Sequence, residues 1–177
     1  GCEFLVFDET LVNSIVLSTL EGIQPIVNMG QTRWYKKMDP QKTYVVSLDP
    51  AMGTGGDNAA IQVVELPTFE QVAEWKHNTT AIPQQIRRLR ANCTHLKEET
   101  QSTGSNIYWS VENNTIGESA LLVINDFGEE NIPGMFVSEP IRKGHIRKFR
   151  KGFNTTHRTK ISACLLYTSD AADDLTR

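Results

Sequence analysis

The sequence predicts an α/β domain built on a mixed sheet of five strands flanked by helices. Three short β-branched runs follow one another across tight turns between Thr43 and Lys76, a pattern of strands joined as an antiparallel meander. Beyond them, segments of helical period alternate with strand-like runs as far as Val137, which places a parallel crossover beside the meander. The composition fits one globular domain: 39% of residues are hydrophobic, 22% are charged, and the chain has 177 residues. No apolar run approaches the ~20 residues that cross a bilayer.

Residues 1–41 carry mixed signals. Glu3 to Val12 reads as extended or irregular, and Ser14 to Leu20 as a short helix. Pro25 and Asp39-Pro40 interrupt any longer element. The expectation is a linker leading into the domain. The chain opens Gly1-Cys2-Glu3, without Met, a basic n-region or a signal peptide, and reads as a piece of a longer protein.

The domain is expected to begin at residue 42. Tyr44 to Leu48 is a buried strand that closes on Asp49. Pro50 to Gly56 is a Gly-rich turn, favoured as a flexible hairpin loop. Asn58 to Leu66 is the second strand, Pro67-Thr68 a tight turn, and Phe69 to Lys76 the third strand. Pro83 suits the first turn of a helix. From Gln84 to Thr100, Ile86, Leu89, Cys93 and Leu96 recur on one helical face. Ile107 to Val111 is the fourth strand and closes on Glu112. Ile116 to Phe127 is a second helix that stops at Gly128, and Met135 to Val137 is a fifth, short strand.

Charge and cysteine say less. The net charge is −3, so the chain lacks the overall basicity of many nucleic-acid binders. Cys2, Cys93 and Cys164 are scattered, as expected of reduced thiols. His77, His95 and His157 have no metal-ligand spacing. The end of the chain, CLLYTSDAADD from Cys164, resembles a translated sequencing adapter. Residues 164–177 are therefore expected to be a non-native tail. They hold one Arg and three Asp, so the rest has 17 basic and 18 acidic side chains.

Two acids stand out by position, Asp49 and Glu112, each closing a strand. If those strands are neighbours, the carboxylates meet at one sheet edge, where such pairs bind hard divalent cations. Two cations ~3.5–4 Å apart support in-line phosphodiester hydrolysis. Asp57 lies across the Gly-rich loop and can fold back to the same edge. Asp49 and Asp57 also suit turn formation, which is the plainer reading. Gly53-Thr54-Gly55-Gly56 lacks the lysine of a phosphate-binding loop. Residues 142–151, RKGHIRKFRK, hold six basic side chains in ten. Arg142, Lys143, Arg147, Lys148, Arg150 and Lys151 can track a phosphate backbone or form a solvated charged loop.

These residues together resemble the C-terminal nuclease domain of the large terminase subunit of tailed bacteriophages. The resemblance is carried by YVVSLDPAMGTGGDNAAIQVVEL (44–66), YWSVENNTIGES (108–119) and KGFNTTHRTK (151–160). CEFLVFDETLV (2–12) resembles the segment joining that domain to an upstream packaging ATPase. The resemblance implies a ribonuclease-H-like fold over residues 42–163. It also implies a magnesium- or manganese-dependent endonuclease that cuts concatemeric double-stranded DNA during head filling. Asp49 matches the first-strand catalytic Asp, Glu112 the fourth-strand Glu, and Asp57 an auxiliary acid; all three are implied metal ligands. The portal, the small terminase subunit and further copies of the motor subunit are the implied partners, in the host cytoplasm.

The family's third catalytic Asp falls downstream, in a segment resembling His-Asp-Asp. Asp173-Asp174 imitates it but belongs to the adapter-like tail. The fragment is therefore expected to be C-terminally truncated and inactive. Two other readings stay open. One is a non-catalytic DNA-binding part of the motor. The other is an actin-like or sugar-kinase-type ATPase of the same fold, which would need a second Gly-rich loop where this sequence has Glu112-Asn113-Asn114.

Overall fold

The computed structural model describes residues 27–29, 31–113, 115–137, 139–143 and 146–150. Among these, nine strands and two α-helices follow in order: β1 (Val27–Met29), β2 (Thr32–Trp34), β3 (Thr43–Asp49), β4 (Ala59–Leu66), β5 (Glu70–His77), α1 (Ile82–Glu99), β6 (Ile107–Val111), α2 (Thr115–Phe127), β7 (Met135–Phe136), β8 (Glu139–Lys143) and β9 (Ile146–Arg150). A 3-10 turn, Glu129–Asn131, sits between α2 and β7. Residues 1–26 of the expected linker, the 151–160 motif and the 164–177 tail lie outside the described residues.

The main sheet has seven strands in the order β1-β2-β5-β4-β3-β6-β7. Strands β3, β4 and β5 form the expected antiparallel meander. Strand β6 then lies parallel to β3, and β7 parallel to β6. The five predicted strands are β3 to β7, with ends shifted by at most one residue. Their order, with the second strand antiparallel to its neighbours, is that of the ribonuclease-H-like fold.

The parallel pairs require crossovers, and α1 and α2 supply them. Helix α1 packs on β3 and β6 and against α2. Ile86, Leu89, Cys93 and Leu96 are fully buried there, as their spacing predicts. Central β3 buries Tyr44, Val46 and Leu48 in the core, and Val45 is buried on its other face, where Ser47 and Asp49 are exposed. Alternate residues of β4 are buried: Ala59, Ile61, Val63 and Glu65. Trp34, Trp75 and Trp109 are the largest buried side chains. Trp109 stacks on Phe136 with centroids 4.3 Å apart. Gly128 (φ 92°) ends α2 in the left-handed region, donating its N–H to Ile124 O at 2.9 Å.

The sheet departs from expectation at two places. First, residues 27–29 and 31–34 are not a lead-in. Strand β2 pairs with β5 through Arg33 with Glu74 and Trp34 with Ala73. Burial drives this: Trp34 is 1% exposed and its ring meets that of His95 on α1 at 4.2 Å. Thr32 Oγ1 also donates to Asn92 Oδ1 of α1 at 2.9 Å. Second, residues 139–143 and 146–150 form a separate two-stranded antiparallel sheet, the β8-β9 hairpin, where a charged loop was the alternative to a DNA-tracking run.

A polar network closes the end of the sheet opposite Asp49. Glu65 is 1% exposed, a costly place for a carboxylate without partners. It accepts hydrogen bonds from Tyr44 Oη at 3.0 Å, Thr68 Oγ1 at 3.0 Å and Lys36 Nζ at 3.3 Å. Tyr44 Oη in turn accepts from the Asp39 N–H at 2.7 Å. No described helix is long and apolar enough to cross a membrane.

Candidate active site

Strands β3 and β6 run side by side in the same direction, with Leu48 paired to Val111. Their last residues therefore leave the sheet together. The Glu112 N–H donates to Leu48 O at 2.8 Å, which carries the register one step past the end of β6. Asp49 and Glu112 emerge next to each other at the carboxyl ends of the central strands, where ligands bind in open α/β sheets.

The Glu112 carboxyl lies close enough to that of Asp49 to favour a proton on it. The pKa of Asp49 is pushed up to about 7. Partial withdrawal of its carboxyl from water is the largest cause. The closeness of the Glu112 carboxyl follows, then the negative charges of Glu112 and Asp57. The Asp49 residue is still open to solvent at the sheet end. Water therefore screens these charges, and an ion has a way in.

The loop that follows Asp49 is anchored, not flexible as the Gly-rich turn suggested. Gln85 of α1, fully buried, grips it. Its Nε2 donates to Ala51 O at 2.7 Å and to Thr80 O at 2.7 Å, and its Oε1 accepts from the Ala51 N–H at 3.3 Å. Gly53 adopts φ 75°, and a Cβ there would collide with the Thr80 carbonyl. Gly55 N–H donates to Asn78 O at 2.9 Å, and Asn78 Nδ2 returns a bond to Gly55 O at 3.2 Å. The glycines allow two backbone segments to lie against each other, and the amides fasten them.

The structure thus brings Asp49 and Glu112 side by side and keeps Asp57 near enough to act on Asp49 through its charge. Asp57 itself is exposed on the loop. No group of three or more His, Cys, Asp or Glu side chains gathers as a metal cage among the described residues. The donor set still fits a hard cation. Two carboxyls pressed together are relieved by a divalent charge, and magnesium is commonly held by one or two carboxylates and several waters. His77 bonds Thr80 Oγ1 through Nδ1 at 2.6 Å and serves the loop beside the site. His95 packs on Trp34, away from the carboxylates.

The basic run lies on the hairpin. Arg142 pairs with Arg147, Lys143 with Ile146, Ile141 with Lys148, and Glu139 with Arg150. Lys151 lies outside the described residues. Gln85 and Asn78 were missed by the sequence reading. The signal for Gln85 was its place on the apolar stripe of α1, where Gln85, Leu89, Asn92, Cys93 and Leu96 are all buried. A polar residue on such a stripe must find partners inside.

The strand order gives the chain a ribonuclease-H-like fold. Solved structures similar to the chain include nuclease domains of phage large terminases. The large terminase nuclease of thermophilic phage G20c is similar at TM-score 0.46 and 13% identity, over 82% of this chain and 92% of that one. Its zinc-bound form is similar at TM-score 0.46 and 17% identity, over 64% of this chain and 58% of that one. The large terminase nuclease domain of Thermus phage P74-26 is similar at TM-score 0.39 and 15% identity, over 82% of this chain and 88% of that one. No family model and no curated protein matches the chain.

Proposed function

We propose that this chain is the nuclease domain of a phage DNA-packaging terminase, a divalent-metal-dependent endonuclease acting on double-stranded DNA. The observation that carries the proposal is the Asp49–Glu112 pair, two carboxyl residues set side by side at the ends of parallel strands. In this reading Asp49 and Glu112 hold Mg²⁺ or Mn²⁺, and Asp57 adds negative charge from the loop. The bound metal supplies charge for the attacking and leaving oxygens of a phosphodiester. The protein's own part is to fix the carboxylates on a rigid sheet and to leave them open to solvent.

The β8-β9 hairpin supports DNA as the substrate. Its register sets Arg142 opposite Arg147, and like charges placed across a strand pair are unfavourable without an anionic partner. Arg142, Lys143, Arg147, Lys148, Arg150 and Lys151 would contact phosphates. The portal, the small terminase subunit and further copies of the motor subunit are the proposed partners, in the host cytoplasm.

Two measurements test this reading. Mn²⁺ titrated into the chain, followed by the electron paramagnetic resonance of the free ion, should reveal a site lost in Asp49→Ala and Glu112→Ala. In the longer protein that the resemblance implies, supercoiled plasmid should be cut with Mg²⁺ or Mn²⁺ and not in chelator, and Asp49→Ala should be inert. Equal cutting by the unaltered and Asp49→Ala proteins assigns the activity elsewhere. DNA binding without any metal-dependent cutting makes the domain a non-catalytic part of the motor.

A further inference from the structure

We propose that Gln85 is a positioning residue, which sets the carboxylate pair through the loop that follows Asp49; the inference rests on the metal-binding role proposed for Asp49 and Glu112. Gln85 lies in the first turns of α1 and touches neither carboxyl. Its side chain is 0% exposed, and its amide makes three hydrogen bonds, all to backbone atoms of the two segments beside the site. Two of its partners belong to Ala51, the second residue after Asp49. The third, Thr80 O, is the carbonyl against which Gly53 packs. One amide therefore joins the exit of β3, the lead-in to α1, and the helix itself.

The geometry explains why a polar side chain occupies a buried stripe position. Without the Gln85 amide, the Ala51 N–H and C=O and the Thr80 C=O lose their partner. Buried backbone groups do not stay unsatisfied, so the loop would have to move to reach water. Its movement would release Asp49 at one end and Asp57 at the other. Outer partners of this kind orient metal ligands, and losing one typically weakens metal binding ~10–100-fold.

The test uses the full chain with Gln85→Met, which keeps the side-chain volume and removes the amide. Gln85→Asn, which keeps an amide one methylene shorter, serves if Gln85→Met does not fold. In chelator, the carboxyl ¹³C resonance of Asp49, assigned with Asp49→Asn, should move in the variant, while amide exchange in β3, β4 and β6 stays slow. With Mn²⁺ as the probe, affinity should fall ~10–100-fold. An unmoved Asp49 resonance overturns the proposal whether or not the metal binds. So does a variant that loses thermal stability but holds Mn²⁺ as tightly as the unaltered chain. If the unaltered chain shows no Asp49-dependent Mn²⁺ site while the resonance moves with Gln85, the metal reading falls and the positioning role of Gln85 stands.

Discussion

The Glu112 N–H and the Leu48 carbonyl oxygen are 2.8 Å apart. That bond ties the residue before Asp49 to Glu112 itself, so the carboxylate pair inherits the register of the sheet. Sites held on strands keep tighter geometry than sites held on loops. The third acid, Asp57, sits on the loop, where its position depends on the anchors beneath it.

The pairing predicts a pH dependence in the absence of metal. Asp49 has a pKa of about 7 in the folded chain against an ordinary 3.8. The folded state therefore binds the proton more tightly than the unfolded state. Its contribution to stability is complete below about pH 4 and is lost as pH rises through about 7. Thermal melts in chelator should show this fall, and Asp49→Asn should remove it. Added Mg²⁺ should raise the melting temperature above pH 7 in the unaltered chain and not in Asp49→Asn. A pH profile identical in both chains would contradict the pairing.

Gly53→Ala should destabilise the fold. The position requires φ 75° and leaves no room for a Cβ against the Thr80 carbonyl. A non-glycine residue held in the left-handed region costs about 1–3 kcal/mol. Urea denaturation should report a loss in this range. Gly55→Ala should cost less, because a Cβ at Gly55 meets nothing within 4 Å.

What the sequence made legible follows from the length of each pattern. The central strands were readable because they are β-branched and bounded by Pro, Gly or Asp. The carboxylate pair was readable because each acid closes such a strand. Strands β1 and β2 have three residues each, too few for a period, and Trp34 is buried by a helix far along the chain. The β8-β9 hairpin was hidden by composition, since lysine and arginine favour no strand pattern. The Gln85 anchor was hidden for another reason: its partners are backbone atoms, which no side-chain motif reveals.

Tyr44→Phe probes the far end of the sheet. It removes the hydroxyl that donates to Glu65 at 3.0 Å and accepts from the Asp39 N–H at 2.7 Å. Leaving such buried groups short of a partner costs about 1–3 kcal/mol. The denaturation midpoint should fall with an unchanged m-value. The carboxylate pair lies at the other end of β3, so Mn²⁺ binding should be unaffected.

Alanine at Arg147, Lys148 and Lys151 should weaken DNA binding and flatten its salt dependence. Each phosphate that is no longer neutralised by a cationic side chain lowers the slope of log K against log salt by ~0.9. Fluorescence anisotropy with an Asp49→Asn background, across a salt series, separates binding from cutting. An unchanged slope would remove the hairpin from the DNA interface.

Strand β2 sits on the outer side of β5, with β1 beyond it. A chain trimmed to begin at residue 42 would strip both away. It would leave β5 as a bare edge and empty the pocket that Trp34 fills against His95. An unprotected strand edge recruits other chains. Such a trimmed protein should precipitate or self-associate, which light scattering would show. The first strands thus act as a selvedge, keeping the sheet from unravelling into its neighbours.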